Sequence, residues 1–395
     1  MNTNRELFGK YIAQTTDFVP MQLEIEKAQG IYLYDVSGKE YIDFISGIAV
    51  SNIGHRHPEV VKAIKDQLDK YLHVMVYGEY IQSPQVRLAK ILNDLLPEGL
   101  DCTYFVNSGS ETIDGALKLA RLFTSRTEII SFKNAYHGST LGAMSIMGTE
   151  TYKQTFRPLI PDIKILEFNN LSCLDKITEK TACVVVEPIQ AAAGIIMPNI
   201  EFLKILREKC TETGTLLIFD EIQTGFGRTG TLFAFQQFDI QPDILCVAKG
   251  MGAGMPIAAF ISSFKIMESL NSGHPLCGHA TTFGGHPISC VSALAGLEVL
   301  HKEKLMEKVK KKSDLFRELL KHPAVREIRG LGFMMAVDLG SSERVRKVVE
   351  ESIKRGLLIN WFLFNNKSIN IAPPLIITED EIIKACEILL DVLGD

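Results

Sequence analysis

TLLIFDEIQTGFGRTG (215–230) and ILCVAKGMGAGMP (244–256) each end an apolar run on a charge: Asp220 in the first, Lys249 in the second. Hydrophobic residues fill successive positions of both runs. That is the pattern of a strand buried on both faces of a mostly parallel sheet. A carboxylate at the end of such a strand is costly unless it is paired. An amine there is desolvated, which lowers its pKa and makes it nucleophilic. Asp220 and Lys249 are therefore candidates for one functional site at the carboxyl edge of a sheet, where open α/β folds bind ligands.

Further runs of the same kind extend outward from this pair: TYFV (103–106), EIISF (128–132), CVVVE (183–187) and AAFIS (258–262). Helical spacing separates them, as in 198–214, which stops at Gly214. The alternation predicts an α/β protein with a doubly wound sheet. Near the start, IYLYDVSGKEYIDF (31–44) reads as two strands around a Ser-Gly turn. After about residue 290 the pattern changes to charged helices over 302–321 and 341–356, with the strand-like GFMMAVDL (332–339) between them. A last helix opens at Thr378, with Glu381 completing a capping box. The expected division is a large domain over 51–290 and a smaller α+β domain made from 1–50 and 291–395.

Composition narrows the function. A chain of 395 residues with 46% hydrophobic content can bury a large core. Its net charge of -5 argues against a general nucleic-acid binder. The opening MNTNRELFGKY has no apolar core, so no signal peptide is expected. No apolar run approaches the ~20 residues that span a bilayer. The eight cysteines, at 102, 173, 183, 210, 246, 277, 290 and 386, form no CxxC pair. They read as small buried hydrophobes in a reducing compartment, which points to the cytoplasm and to no metal site.

The residues just beyond each strand carry the chemistry. After TYFV, Asn107-Ser108-Gly109-Ser110-Glu111 opens a helix with capping-box spacing, and such a start aims free N–H groups at an anion. Alone, it would be an ordinary capped helix. After EIISF come Tyr136 and His137, where an aromatic side chain can stack on a planar ring or simply pack in a core. Glu187 closes CVVVE as Asp220 closes its neighbour, and acids at two strand ends suggest a site. The glycines after Lys249 let backbone and ligand approach closely. Gly225–Gly230 matches the GxGxxG pattern, but Asp220-Glu221 occupies the strand end where a pyrophosphate would sit, so a dinucleotide site is not expected.

With FDEIQTGFGRTG, AKGMGAGMP, HATTFGGHP, the early YDVSGKEYIDFISGIAV and GHRHP, and APPL near the end, the chain resembles the class III pyridoxal-phosphate aminotransferases almost throughout. That group includes ornithine, acetylornithine, 4-aminobutyrate and diamine aminotransferases. The resemblance implies fold type I, pyridoxal 5′-phosphate as cofactor, an amine or amino acid and a 2-oxo acid as substrates, and a homodimer with shared active sites. It implies Lys249 as the Schiff-base lysine that also moves a proton, and Asp220 as partner of the pyridine nitrogen. Ser108, Gly109 and Ser110 would hold the phosphate, with Tyr136 and Ile222 on the two ring faces and His137 in the same site. Gln223 would bond the ring hydroxyl, with Glu187 nearby, and Thr282 would reach the neighbouring subunit's phosphate. Arg228 is read as structural.

Departures from the family pattern bear on the substrate. Ala191-Ala192 stands where Gly-Glu is common, Asn370 stands where an Arg grips the α-carboxylate of glutamate, and Ser139 stands where ornithine enzymes carry an Arg. An unpaired buried Glu would be costly without its Arg, so losing both is coherent. Transfer from a terminal amine of an amino acid or diamine, such as ornithine, acetylornithine or 4-aminobutyrate, is expected. Weak binding of glutamate and 2-oxoglutarate is expected too, unless Lys153 or Arg157 supplies the missing cation. Other chemistry on the same fold (aminomutase, racemase, decarboxylase) stays open, as does a non-catalytic binding protein, although retention of Lys249 and Asp220 argues against the latter.

Overall fold

The structure, a computed structural model, describes residues 3–13, 21, 23–76, 78–271 and 279–394. Cys277 lies outside them. The first described element is a capped helix, Asn4–Tyr11, that the sequence patterning did not suggest. Strands β1 (Ile25–Gln29), β2 (Tyr32–Asp35) and β3 (Glu40–Asp43) come next as an antiparallel meander. The expected Ser-Gly turn joins β2 to β3, and the Asp35 carboxylate accepts the Ser37 and Lys39 amides inside it.

A seven-stranded sheet forms the centre, in the order β4-β10-β9-β8-β7-β5-β6. Its strands are β4 (Cys102–Val106), β5 (Glu128–Phe132), β6 (Ile163–Leu166), β7 (Thr181–Val186), β8 (Leu216–Asp220), β9 (Ile244–Val247) and β10 (Ala258–Ser262). All pairings are parallel except those of β10, which runs antiparallel to both β4 and β9. β6, a half-exposed edge strand, had no counterpart among the apolar runs.

Continuous apolar runs conceal a two-faced structure. Cys183, Val185, Ile218, Ile244 and Cys246 pack into one core, with Ile113, Ala116 and Leu119 of the helix Gly109–Thr124. Val184, Val186, Leu217, Phe219, Leu245 and Val247 pack into the other, against helices that include Ile200–Thr213 and Pro287–Lys302. Successive side chains of a strand point to opposite faces, so helices on both faces demand apolar residues at every position.

The C-terminal third adds β11 (Glu327–Leu331), β12 (Met334–Asp338), β13 (Leu357–Leu358), β14 (Asn360–Trp361) and β15 (Ser368–Ile371). One sheet runs β11-β12-β15-β14, while β13 pairs in parallel with β3, so both ends of the chain share a sheet. The helix expected over 302–321 is shorter, Leu305–Leu319. Lys302 instead ends the preceding helix, and Lys304 at φ 51 breaks the path between the two. The later helices, Ser342–Lys354 and Glu379–Gly394, fall where expected, the last with its Thr378–Glu381 box in place. No described helix is long and apolar enough to cross a membrane.

Candidate active site

Strands β4, β5, β7, β8 and β9 point the same way, so their carboxyl ends share one edge of the sheet, and antiparallel β10 starts there. A cavity of about 470 Å3 opens at that edge. Ser108, Gly109, Ser110, Tyr136, His137, Glu187, Asp220, Ile222, Gln223 and Lys249 all line it. These ten residues, legible in the sequence at run ends or in the turns behind them, are therefore brought together by the fold. Thr282 does not line this cavity. Its neighbour Thr281 accepts a hydrogen bond from Asn107 Nδ2 at 2.8 Å.

Lys249 leaves β9 in a left-handed conformation, φ 47, that few side chains adopt without strain. Its amine donates to Gln223 Oε1 at 3.1 Å. Part of its surface opens onto the cavity, yet protein surrounds it. Burial holds the amine's pKa below the ordinary lysine value, against the opposing pull of Asp220 and Glu187.

Asp220 is 5% exposed. One oxygen accepts His137 Nδ1 at 2.7 Å and the other accepts the Ile222 amide at 3.0 Å. Burial opposes a charge on His137, but the Asp220 and Glu187 carboxylates outweigh it and raise its pKa. Glu187 behaves differently. Burial pushes its pKa up to about 7, against the charge of His137. Its oxygens accept the Tyr136 amide at 3.0 Å and the Ala191 amide at 2.9 Å, fixing the backbone on two sides of the cavity. Glu221, adjacent to Asp220, does not line the cavity. It turns into protein and accepts from Thr224 Oγ1 and the Ala234 and Phe235 amides.

The helix Gly109–Thr124 starts at the cavity wall, with Ser108 and Glu111 forming the expected capping box. A Cβ on Gly109 would stand 2.9 Å from Ile222 Cδ1, and one on Gly138 would stand 2.1 Å from Ser110 Oγ. Only glycine leaves that space, and the result is a concave cradle facing a helix N-terminus, which suits a phosphate. Ser110 Oγ also accepts the Ser139 amide at 3.0 Å.

The departures are placed as well. Ala191 and Ala192 line the cavity. Asn370 does not, and its amide donates to Asn360 Oδ1 on the neighbouring strand. Neither substitute cation reaches the site. The Lys153 amine is buried and donates to the carbonyls of Met147 and Ser145, and Arg157 pairs with Glu150. Within this chain, neither of these two candidates for a substitute cation lines the cavity. Among the described lining residues Lys249 is the one lysine, and there is no arginine. Arg228 is fully buried and bonds Asn52 and the carbonyls of Phe333 and Pro373, as a structural residue would. Nothing in the linear pattern pointed to Val50, Ile189 or Met255–Ile257 as lining residues. For the last group, the turn into antiparallel β10 was the missing information.

A buried acid, a buried amine, a glycine-lined cradle at a helix start, and Tyr136 and Ile222 among the cavity-lining residues fit pyridoxal phosphate part by part. Such a site on such a sheet marks a pyridoxal-phosphate enzyme of fold type I, with pyridoxal 5′-phosphate as its cofactor. More narrowly, the chain belongs to the class III aminotransferases: the model of that family, described as aminotransferase class-III, matches residues 13–393. It is 39% identical to the acetylornithine aminotransferase of Methanopyrus kandleri, over 98% of both chains. It is 40% identical to that of Archaeoglobus fulgidus, over 97% of this chain and 98% of the other. A crystal structure of a transaminase from the marine bacterium Virgibacillus superposes with a TM-score of 0.93 at 28% identity, covering 99% of this chain and 98% of that one. The protein is thus an aminotransferase that moves an amino group from an amino-acid substrate to a 2-oxo acid.

Proposed function

We propose that this aminotransferase takes its amino group from the terminal primary amine of an amino acid or diamine and passes it to a small 2-oxo acid such as pyruvate. The observation that carries this is the cavity lining, which offers no arginine to a substrate α-carboxylate and no lysine besides Lys249 among the described residues. Each carboxylate left without such a buried charged partner typically costs ~2–5 kcal/mol, so the dicarboxylates glutamate and 2-oxoglutarate, with two to satisfy, are disfavoured relative to pyruvate with one. The relatives' name agrees with a terminal donor, since in acetylornithine the terminal amine is the one free to react.

The cofactor, when bound, supplies an electron sink for the carbon that bears the amine. Lys249 would hold it and move the proton at that carbon, a role supported by an amine whose pKa burial lowers. Asp220, held by His137, would pair with the pyridine nitrogen and favour its protonated form. Ser108, Gly109 and Ser110 would hold the phosphate, Tyr136 and Ile222 would flank the ring, and Gln223 would bond the ring hydroxyl with Glu187 nearby. Thr282 belongs to the neighbouring subunit's site in a cytoplasmic homodimer. Residues 1–50 and 291–395 form a smaller domain around 51–290, a division supported by the pairing of β3 with β13.

Steady-state kinetics with a fixed amine test the acceptor. Pyruvate should show a lower KM than 2-oxoglutarate. A 2-oxoglutarate KM below that of pyruvate contradicts the proposal.

A further inference from the structure

The turn 190–196 carries two cavity-lining residues, Ala191 and Ala192. Backbone bonds between Gln190 and Ile196 close its base, and the Glu187 carboxylate accepts the Ala191 amide. Its tip is bonded to the C-terminal sheet and the segment that leads into β15. Three successive carbonyls accept from there. Ala192 takes the Phe364 N–H at 2.9 Å, Ala193 takes Asn365 Nδ2 at 3.2 Å, and Gly194 takes Arg329 Nε at 2.6 Å. Gly194 permits this approach, because a Cβ there would stand 2.5 Å from Asn365 Nδ2 and 2.9 Å from Arg329 Nη2.

Arg329 is the charged donor of the three, and its guanidinium is fixed on its other edges. Nη1 donates to the Asp338 carboxylate at 3.2 Å and to Glu327 at 3.3 Å, while Nη2 donates to Ser368 Oγ at 2.9 Å. Strands β11, β12 and β15 thereby hold one planar fork with its Nε edge aimed at the turn. A lysine has no second arm to be held in this way. Ala192 and Asn370 stand where the family pattern has an acid and a base, and Asn370 bonds Asn360. The link from sheet to turn therefore runs through backbone carbonyls, with the Arg329 bond as the charge-assisted one.

We propose that Arg329 is a positioning residue for the transfer reaction: by holding Gly194 it sets the turn, and with it the Ala191–Ala192 stretch of cavity wall, before substrate arrives. Arg329 and Gly194 do not line the cavity, so the effect passes through the two alanines. The proposal stands on the aminotransferase site and is independent of which 2-oxo acid accepts the amine.

A turn released from that bond samples other positions. Substrate then binds only the fraction of molecules whose wall is in place, so apparent affinity falls by that fraction while the rate of the bound complex is kept. The test follows the amine half-reaction, with acetylornithine as the terminal amine and no acceptor present, by the loss of the visible absorbance of the lysine-bound cofactor. Arg329→Gln should raise the half-saturating amine concentration roughly 10-fold and leave the limiting rate within about twofold, the scale of one charge-assisted bond. Arg329→Lys should fall between the two. Glu327→Gln should match wild type, since that carboxylate is exposed and does not bond the turn. Hydrogen–deuterium exchange of the free enzyme gives a second reading that needs no substrate. The amides of 191–196 should exchange faster in Arg329→Gln, to a lesser degree in Asn365→Ala, and at the wild-type rate in Glu327→Gln. Unchanged half-saturation or unchanged exchange in a folded Arg329→Gln protein overturns the assignment, and so does a loss confined to the limiting rate. If Arg329→Gln does not fold, the same two readings on Asn365→Ala decide, and wild-type values there overturn it. If acetylornithine is not a donor, the terminal-amine reading is weakened and exchange alone decides the role of Arg329.

Discussion

The Asp220 carboxylate accepts the His137 imidazole at 2.7 Å, joining the ends of β8 and β5 across 83 residues of sequence. The two side chains are buried, and each needs the other. A lone buried carboxylate would take up a proton, and a lone buried imidazole would lose its own. Their pairing fixes the Asp220 carboxyl group at the edge of the cavity. Asp220→Asn should bind cofactor but lose at least ~100-fold in rate, equivalent to about 2.7 kcal/mol of barrier. His137→Gln, which can still donate a bond, should lose less. Single-turnover rates measure both, and wild-type rates for Asp220→Asn would reduce Asp220 to a loop acid.

Gly138 has φ 132, and a Cβ there would meet Ser110 Oγ. Gly138→Ala should therefore displace the helix start that forms the phosphate cradle, with a strain of about 1–3 kcal/mol. Cofactor titration by fluorescence should show weaker binding, along with a lower melting temperature. Unchanged binding would mean that the cradle does not hold the phosphate.

Glu221 predicts a pH effect on stability. Burial raises its pKa from 4.5 to about 7, against the bonds from Thr224, Ala234 and Phe235. The folded protein then holds a proton that the unfolded chain has released. The stabilisation is complete below the ordinary value and is lost as pH rises through the folded one. Melting of cofactor-free protein should fall between about pH 4.5 and pH 7, and Glu221→Gln should flatten that slope. Equal slopes in variant and wild type would contradict the assignment.

Shared sites can be tested by mixing. Lys249→Ala and Thr282→Ala chains should form hybrid dimers in which one site carries both changes and the other carries neither. Recovered activity supports a phosphate contact across the subunit boundary. An active monomer in ultracentrifugation excludes it.

Most of the site could be read in the sequence, because a charge at the end of a fully apolar strand has few alternatives to function. Asp220 and Lys249 stood out for that reason. Adjacent acids were harder, since Asp220 and Glu221 differ only in which way the chain turns after β8, and that depends on donors at Ala234 and Phe235. Lys153 resembled a spare cation until the carbonyls of Met147 and Ser145 were seen to hold it. Ile163–Leu166 escaped notice because a short edge strand with an exposed Lys164 shows neither an apolar run nor a strong alternation.

Every role assigned to this cavity depends on Lys249 holding the cofactor, and replacing that lysine is the decisive experiment. In Lys249→Ala, the visible absorbance of the lysine-bound cofactor and amine turnover should vanish together, while circular dichroism and melting stay close to wild type. A Lys249→Ala protein that keeps both the absorbance band and full turnover would show that the cofactor is held elsewhere.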